Sequence, residues 1–351
     1  MSEGWRRTDL AGSTASELLL TPAALAALPV SAADVTAAAR RIAGVVVRTP
    51  LIASAELTDR TGLDVALKLE GVQPTGSFKV RGAASKILSL DPETAARGVV
   101  TASTGNHGRA VAHVARTLGL PAAVCISEHV PAGKITALKA LGCELIVGGD
   151  SQNAALHQAA ELVAQRGMTL VHPFDDAQVI AGQGTIGREL LAQSPDLATA
   201  LVPLSGGGLA AGVALVLKAA RPDIRVIGVS MEGGAVMAGS LGHGTPIDMD
   251  EVTSLADSLQ GGIGADNRFT LQMCAALLDG VVLVSEPQIW QAMRLAFEHH
   301  RLLLEGGGAV GIAALLAGRV TSDGPVAVVC SGANAEAGQI AALAQGRPSP
   351  P

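Results

Sequence analysis

Short apolar runs alternate with helical segments along most of this chain, and this alternation restricts the fold more than any other feature. From about Ser31 onward, nine such runs are separated by segments whose apolar residues recur with helical spacing. The pattern predicts an α/β protein with parallel sheets and right-handed crossovers, whose ligands bind beyond the carboxyl ends of the strands. The predicted strands are Val65–Leu69, Gly98–Ala102, Ala122–Ile126, Glu144–Val147, Thr169–Val171, Ala200–Leu204, Arg225–Val229, Val281–Val284 and Pro325–Val329.

The length of the chain indicates how many domains it can form, and its net charge indicates which kinds of partner are unfavourable. The chain has 351 residues, enough for two domains, and its net charge of −6 does not favour a nucleic-acid or anionic-membrane partner. Residues 1–30 are interpreted as a cytosolic extension, because acidic residues and a Thr-Pro pair interrupt any signal-like pattern. The uncharged segment Leu197–Leu217 contains three consecutive glycines, so it is interpreted as strand, loop and helix instead of a membrane span. We expect a cytoplasmic protein with a small-molecule ligand.

The four cysteines are predicted to be reduced core residues. They lie in apolar runs, with no Cys-x-x-Cys pair and no histidine cluster beside them, so neither a disulfide framework nor a metal site is expected. These residues are Cys125, Cys143, Cys274 and Cys330.

One lysine, Lys79, is placed at a predicted turn-to-helix junction within the stretch Gln73–Gly82. Pro74 and Gly76 break the preceding strand, and the helix is predicted to begin at Ser77, a favourable N-cap. A lysine in the first helical turn faces the positive end of the helix dipole, which favours the neutral, nucleophilic amine. This position suits Schiff-base chemistry, although a solvated surface turn is the alternative interpretation.

A loop of small and polar residues follows the predicted strand that ends at Ala102. Its backbone N–H groups, at the start of a helix, can hold a carboxylate, and Asn106 offers an amide to a carbonyl or phenolic oxygen. The alternative is an ordinary turn with a capping Thr104 and a surface His107. The loop consists of Ser103, Thr104, Gly105, Asn106 and His107.

A glycine-rich loop follows the strand predicted to end at Leu204. Its unobstructed backbone donors, beside a helix N-terminus, form a nest for a phosphate. A competing interpretation is a dinucleotide fingerprint, Gly206-x-Gly208-x-x-Ala211, with Glu232 as the ribose contact of an oxidoreductase. The loop consists of Ser205, Gly206, Gly207, Gly208 and Leu209.

Two further stretches carry polar groups near predicted strand ends. Ser331 opens the stretch Ser331–Asn334 after the last strand, and its hydroxyl can make one neutral hydrogen bond or cap the last helix. Glu305 precedes three glycines at the start of another helix, where it is either buried near the same crevice or a solvated charge.

A lysine, a phosphate nest, an asparagine and a hydroxyl at successive strand ends form the set needed to hold pyridoxal phosphate. In order and spacing, the stretches Pro74–Gly82, Ser103–Gly108, Ser205–Gly208 and Ser331–Asn334 resemble the motifs of the serine/threonine dehydratases, which are tryptophan-synthase-β-like enzymes. The resemblance implies an α/β protein of two doubly wound open-sheet domains, with pyridoxal phosphate in the cleft between them.

The resemblance also implies roles for individual residues. Lys79 would carry the cofactor as a Schiff base and move the Cα proton, with Phe78 beside the ring. Asn106 would bind the ring oxygen, and Ser331 would meet the pyridine nitrogen, which a serine cannot keep protonated. The implied reaction converts a β-hydroxy amino acid to a 2-oxo acid and ammonia. The phosphate would be bound by Ser205, Gly206, Gly207, Gly208 and Leu209, and the substrate by Ser103, Thr104, Gly105, Asn106 and His107.

The family pattern further implies a domain division and a homodimer. Residues 31–98 and 176–345 would form a large cofactor-binding domain, residues 99–175 a small inserted domain, and residues 346–351 a tail. The amino-acid-binding regulatory domain of biosynthetic threonine dehydratases is expected to be missing, because the chain ends soon after the core.

Departures from the family pattern limit the implied activity. Serine racemases have a serine where this chain has Thr104, so racemisation of serine or hydroxyaspartate is kept only as the alternative reaction. Val236 and Ala238 occupy the region where metal-binding members have an acid after the equivalent of Glu232, so no metal is predicted. A non-catalytic protein that binds pyridoxal phosphate or amino acids is a further alternative, which the intact Lys79 disfavours.

A finer resemblance concerns the substrate. The stretches Ser230–Met237, Leu255–Gly264 and Glu305–Gly311 are similar to dehydratases associated with hydroxyectoine utilisation. The implied substrate is 3-hydroxyaspartate, with threonine or serine as the alternative. A second carboxylate needs a fixed cation, and the predicted candidates are Arg81, Arg188 and His107.

Overall fold

The computed structural model describes residues 21–103, 105–128, 132–149 and 152–347, and within these ranges its strands form two separate sheets. The strands are β1 (Leu51–Ala53), β2 (Val65–Leu69), β3 (Val99–Ala102), β4 (Ala122–Ile126), β5 (Glu144–Val147), β6 (Thr169–Leu170), β7 (Thr199–Pro203), β8 (Arg225–Met231), β9 (Gly280–Val284) and β10 (Val326–Cys330).

Helices connect nearly all of these strands. Among the described residues, none of the helices combines the length and the apolar character that crossing a membrane requires. The helices are α1 (Pro22–Ala26), α2 (Ala32–Arg41), α3 (Ala55–Thr61), α4 (Lys79–Ile87), α5 (Pro92–Ala96), α6 (Asn106–Leu118), α7 (Ala132–Lys139), α8 (Gln152–Arg166), α9 (Ala177–Gln193), α10 (Gly208–Ala220), α11 (Val236–His243), α12 (Thr270–Leu277), α13 (Glu286–His300), α14 (Gly306–Leu316) and α15 (Ala337–Ala344), with short 3₁₀ turns at Glu70–Val72 and Asp257–Leu259.

The strand order confirms the predicted α/β class. The larger sheet has the order β1-β2-β10-β7-β8-β9, and the smaller has the order β5-β4-β3-β6. Every neighbouring pair is parallel except β1 with β2. Most of these strands are almost wholly buried, which explains why they read as continuous apolar runs instead of alternating patterns.

Strand β1 was not predicted from the sequence, because only parallel strands were predicted. It spans three residues, pairs antiparallel with β2 and is only partly buried, so it carries no apolar run that periodicity could detect. The predicted limits of the other strands are correct to within two residues.

The strand order brings the informative loops together. Strands β2, β10 and β7 are neighbours, so the loops that hold Lys79, Ser331 and the three glycines lie at one edge of the larger sheet. The backbone N–H of Phe78 donates to the carbonyl of Ser331 at 3.0 Å, which joins two of these loops directly. Strands β3 and β6 are likewise neighbours in the smaller sheet, and their loops contribute Asn106 and Pro173.

The start of α4 differs from the prediction. The helix begins at Lys79, with Phe78 at the N-cap, two residues later than expected. Ser77 does not cap it, because its backbone forms an isolated bridge with Gly332. The pairing of Ser77 with the segment after β10 is a long-range contact that local capping preferences do not contain.

Candidate active site

The amine of Lys79 lies in a partly buried position between the two sheets. Its Nζ donates to the backbone carbonyl of Pro173, 2.8 Å away, in the loop between β6 and α9. Burial lowers the pKa of this amine to about 8, against the opposing effect of the Glu305 carboxylate. The ring of Phe78 lies beside it, with its centroid 5.3 Å from Nζ. Lys79 is therefore held in one orientation and is partly deprotonated near neutral pH, which fits the predicted nucleophile better than a solvated surface lysine.

The glycine loop between β7 and α10 is packed against the Phe174 ring. A Cβ on Gly206 would overlap that ring, and a Cβ on Gly208 would lie 2.8 Å from the Phe174 carbonyl. Gly207 has a φ of 88°, in the left-handed region that favours glycine. Only glycine fits these positions, so the backbone N–H groups at the start of α10 stay open to an anion.

Asn106 lies in a chain of hydrogen bonds at the start of α6. Its Nδ2 donates to Oε1 of Glu305 at 2.7 Å, and its Oδ1 accepts from Nδ2 of Asn334 at 2.6 Å. Burial, and then repulsion from Asp257, raise the pKa of Glu305 to about 7, while the bond from Asn106 opposes the rise. Glu305 is thus buried at the crevice, as one of the two interpretations of the sequence held.

Ser331 is buried at the end of β10, where its Oγ donates weakly to the Gly307 carbonyl at 3.4 Å. It does not cap the last helix, because α15 begins at Ala337 with Glu336 at the N-cap. Nearby, the buried hydroxyls of Thr75 and Ser77 have no hydrogen-bond partner in the described part of the chain. Buried hydroxyls without partners fit a site that is completed by a bound polar group.

The loop predicted to bind the substrate is described except for Thr104. Thr104, and the role predicted for it, lie outside the described residues. Gly105 is the N-cap of α6, and its N–H donates to Oγ of Ser103 at 3.4 Å. His107 is buried, and its Nε2 contacts the Val171 carbonyl at 2.8 Å. Burial, and then the charge of Lys79, lower the pKa of His107 to about 3. A neutral, buried imidazole does not supply the cation that was predicted for a second carboxylate.

The two predicted arginine contacts are also wrong. Arg81 is wholly buried beneath α4, where its guanidinium is paired with the carboxylates of Glu70 and Glu189. Arg188 is exposed on α9 and donates to Oγ1 of Thr36 at 2.6 Å. The sequence alone did not reveal that Arg81 lies on the side of α4 that contacts α9, whereas Lys79 lies on the side that contacts the site.

Three site residues were missed by the sequence reasoning. Pro173 and Phe174 follow β6, so the rule that ligands bind at strand ends was the signal that pointed to them. Asn334 lay within a quoted motif without a role, and here it also donates to the Thr75 carbonyl at 2.9 Å.

No metal was predicted near Glu232. The Glu232 side chain is exposed, with its Oε1 3.6 Å from Nη2 of Arg319, and Val236 and Ala238 belong to α11. No cluster of three histidine, cysteine or acidic side chains that would hold an ion occurs among the described residues.

The groups brought together here fit pyridoxal phosphate. The glycine loop Ser205–Leu209, which we call the glycine cradle, leaves backbone N–H groups that would hold a phosphate, and it packs against Phe174 so closely that Gly206 and Gly208 admit no side chain. The partly buried Lys79 amine is suited to the cofactor's aldehyde. Asn106 and Ser331 would meet the ring's polar atoms. When bound, the cofactor supplies an electron sink for cleavage of bonds at the substrate's Cα.

Comparison with known proteins agrees with this reading. Residues 42–332 match the model of the family described as pyridoxal-phosphate dependent enzyme. A threonine dehydratase homologue of Sinorhizobium fredii is 52% identical over 302 residues, covering 86% of this chain and 91% of that protein. The L-threonine ammonia-lyase of Thermotoga maritima is 38% identical, covering 88% of this chain and 76% of that enzyme.

A solved structure is similar as well. Maize serine racemase superposes with a TM-score of 0.85 at 33% identity, covering 90% of this chain and 97% of that one. The order of motifs, the geometry of the site and these similarities agree, and the chain belongs to the pyridoxal-phosphate dependent enzymes, within the group that contains the threonine ammonia-lyases.

Proposed function

We propose that this enzyme is an ammonia-lyase that dehydrates a β-hydroxy amino acid to a 2-oxo acid and ammonia. The observation that carries the proposal is the partly buried Lys79 amine, which donates to the Pro173 carbonyl beside the glycine cradle. A pKa of about 8 lets this amine accept and return a proton near neutral pH. The relatives named as threonine dehydratases and threonine ammonia-lyases support the same reaction.

We further propose the residue roles that the family resemblance implies. Lys79 binds the cofactor and moves the Cα proton, Phe78 packs beside the ring, and Asn106 donates to the ring oxygen. Ser331 offers a neutral hydroxyl to the ring nitrogen, which favours rapid loss of a β-hydroxyl over racemisation. The phosphate is assigned to Ser205, Gly206, Gly207, Gly208 and Leu209, and the substrate carboxylate to Ser103, Thr104, Gly105, Asn106 and His107.

Borohydride reduction of the holoenzyme tests the assignment of Lys79. The reduced cofactor should be found on the peptide that contains Lys79, and Lys79→Ala should abolish ammonia release. The absorption spectrum of the purified protein distinguishes this function from a dinucleotide oxidoreductase, because a lysine-bound cofactor and a nicotinamide absorb differently. A label on Lys68, Lys86 or Lys134 would refute the assignment.

For the substrate, we propose 3-hydroxyaspartate as the preferred compound, in hydroxyectoine catabolism, with threonine or serine as the alternative. The support is the resemblance of Ser230–Met237 and Leu255–Gly264 to that subgroup. The required cation is assigned to Arg109, which lies one turn beyond Asn106 and donates to Oδ1 of Asn334 at 3.1 Å. Within the described residues, Arg109 has no carboxylate partner, so its charge is available to a dicarboxylic substrate.

The substitution Arg109→Gln tests the substrate assignment. It should lower kcat/KM for hydroxyaspartate by about tenfold to a hundredfold, because a charge-assisted hydrogen bond is lost, and should affect threonine much less. Arg188→Gln, outside the site, is the matched control and should leave the ratio of the two substrates unchanged. Equal losses on both substrates would mean that Arg109 acts on Asn334 and not on a distal carboxylate.

A second candidate reaction is racemisation of serine or hydroxyaspartate, which the similarity to maize serine racemase supports. Thr104, where racemases of this family have a serine, speaks against it. Chiral analysis of serine during turnover separates the two reactions. A rate of D-serine formation above the rate of ammonia release would favour the racemase.

The assembly is also part of the proposal. We propose a cytoplasmic homodimer with a large domain of residues 31–98 and 176–345 and a small domain of residues 99–175. The position of β3, β4, β5 and β6 in one separate sheet supports the division. Light scattering on the purified enzyme determines the oligomeric state.

A further inference from the structure

Four charged side chains are buried together beneath the helix that begins at Lys79, and we call this group the Arg81 clamp. Its members are Lys68, Glu70, Arg81 and Glu189, of which the first three are wholly buried and the side chain of Glu189 is 15% exposed. Two positive and two negative groups face each other, so the cluster is balanced in charge. None of the four has a role in the proposed chemistry.

Arg81 is held in a fixed orientation by two carboxylates. Its Nε and Nη2 donate to Glu70 at 2.8 and 2.9 Å, and its Nη1 and Nη2 donate to Glu189 at 2.7 and 3.0 Å. Oγ1 of Thr185 accepts a further bond from Nη1 at 3.1 Å. Only a planar guanidinium meets two carboxylates in this paired way, so lysine is not an equivalent residue here.

Lys68 completes the clamp from strand β2. Its Nζ donates to the Thr49 carbonyl at 2.7 Å, to Glu189 at 2.5 Å and to Oε1 of Gln193 at 2.8 Å, which uses all three of its N–H bonds. The clamp therefore joins strand β2, the turn Glu70–Val72, helix α4 and helix α9.

These are the elements that hold the two ends of the Lys79 hydrogen bond. Lys79 is two residues before Arg81 at the start of α4, and Pro173, which accepts from its amine, lies in the loop that leads into α9. Gly82 and Gly182 bring α4 and α9 into close contact, since a Cβ on Gly182 would lie 2.7 Å from Cβ of Ser85. A rotation of α4 against α9 would therefore move the amine away from the carbonyl.

We propose that Arg81 is a positioning residue, which fixes the Lys79 amine against the Pro173 carbonyl by locking α4 to α9. Buried ion pairs contribute little net stability because desolvation offsets their attraction, so orientation is the property that this cluster supplies. The inference rests on the proposal that Lys79 is the cofactor-bearing lysine. It adds that full activity also requires the Lys79 amine to be held in a fixed orientation.

The test uses the holoenzyme with the substitutions Arg81→Lys and Thr185→Val. Arg81→Lys keeps the charge but loses the paired hydrogen bonds, and should lower kcat by about tenfold to a hundredfold while KM changes much less. It should also slow borohydride labelling of Lys79, a measurement that needs no turnover. Thr185→Val, a milder change of similar volume, should shift both quantities in the same direction.

Lys218→Met is the matched control, because Lys218 forms a buried ion pair with Asp279, 2.8 Å away, at the far end of α10. Its melting temperature should fall, but kcat and the labelling rate should not change. If Arg81→Lys and Thr185→Val lower only the melting temperature, as this control does, Arg81 is a structural residue and the proposal is overturned. If Arg81→Lys does not fold, Thr185→Val with unchanged kcat and labelling overturns it equally.

The lysine that carries the borohydride-reduced cofactor distinguishes the hypothesis about Lys79 from the hypothesis about Arg81. A label on another lysine would refute the proposed role of Lys79 and with it the positioning role of Arg81. A label on Lys79 with unchanged kinetics in both variants would refute the positioning role alone.

Discussion

At the residue scale, burial sets the charge of the two titratable groups at the centre of the site. Lys79 and Glu305 would both be ionised at neutral pH in water, yet burial brings their pKa values to about 8 and about 7. Both groups therefore change charge close to physiological pH. The Glu305 carboxyl accepts a hydrogen bond from Asn106, the residue proposed to bind the ring oxygen. A change in the protonation of Glu305 therefore changes the hydrogen bonding of Asn106.

Glu305 should make the stability of the folded protein depend on pH. Between its ordinary pKa of 4.5 and its folded pKa of about 7, the folded protein holds a proton that the unfolded chain releases. Stability should therefore fall as pH rises through this window, by roughly 3 kcal/mol for this group. Glu305→Gln, which cannot ionise, should reduce the difference in unfolding free energy between pH 5 and pH 8 by that amount.

Urea unfolding of the wild type and the variant at both pH values measures this effect. Glu298→Gln, on the exposed end of α13, is the control and should follow the wild type. A Glu305→Gln variant with the wild-type pH dependence would show that Glu305 ionises normally in the folded protein.

At the element scale, glycines allow α9 and α10 to pack backbone against backbone. A Cβ on Gly184 would lie 2.8 Å from the Gly212 carbonyl and equally close to Val35 of α2. Backbone cannot give way as the end of a flexible side chain can, so the helices would have to separate. This contact positions the start of α10, where the glycine cradle lies.

Gly184→Ala should destabilise the protein by about 1–3 kcal/mol, because the added methyl group overpacks the helix interface. Gly338→Ala is the control, since Gly338 is exposed near the start of α15 and a Cβ there would meet no other atom. Alanine at this position should be neutral or slightly stabilising. Thermal unfolding compares the two variants. A stable Gly184→Ala protein would mean that α9 and α10 can move apart at little cost.

At the scale of the whole molecule, the site draws on both sheets. Lys79, Ser331 and the glycine loop come from the larger sheet, while Asn106 begins the helix that follows β3 of the smaller sheet. The bond from Asn106 to Glu305 joins the two halves directly. A group bound among these residues contacts elements from both, so its binding and the stability of the fold are linked.

Removal of pyridoxal phosphate should therefore lower the melting temperature, and adding it back should restore it. For a single site, the gain is about 2.7 kcal/mol when the free cofactor is a hundred times its Kd. Gly206→Ala should weaken this gain because its methyl group meets the Phe174 ring at the cradle. Calorimetry of the two proteins with and without cofactor tests this, and an equal gain in both would place the phosphate elsewhere.

The sequence by itself determined the class of the fold and the chemistry of the main loops. Buried parallel strands appear as apolar runs and helices as periodic segments, so β2 and β4 could be placed to the residue. Lys79 and the three glycines were recognisable because turn formation and anion binding depend on local backbone properties. Ligands of parallel sheets bind beyond the carboxyl ends of the strands. For this reason the loops after β2, β3, β7 and β10 were expected to lie together.

Only the tertiary structure decided which charges are buried and what they contact. Arg81 was one of three candidates for binding a second carboxylate, yet it is paired with Glu70 and Glu189. The sequence did not reveal this pairing, because those partners are 11 and 108 residues away. Likewise, β1 forms through pairing with β2, and Glu305 acquires its shifted pKa from burial beside Asp257 and Asn106. Charge state and orientation depend on neighbours that are distant in the chain, and these neighbours come together only when the sheets and helices pack.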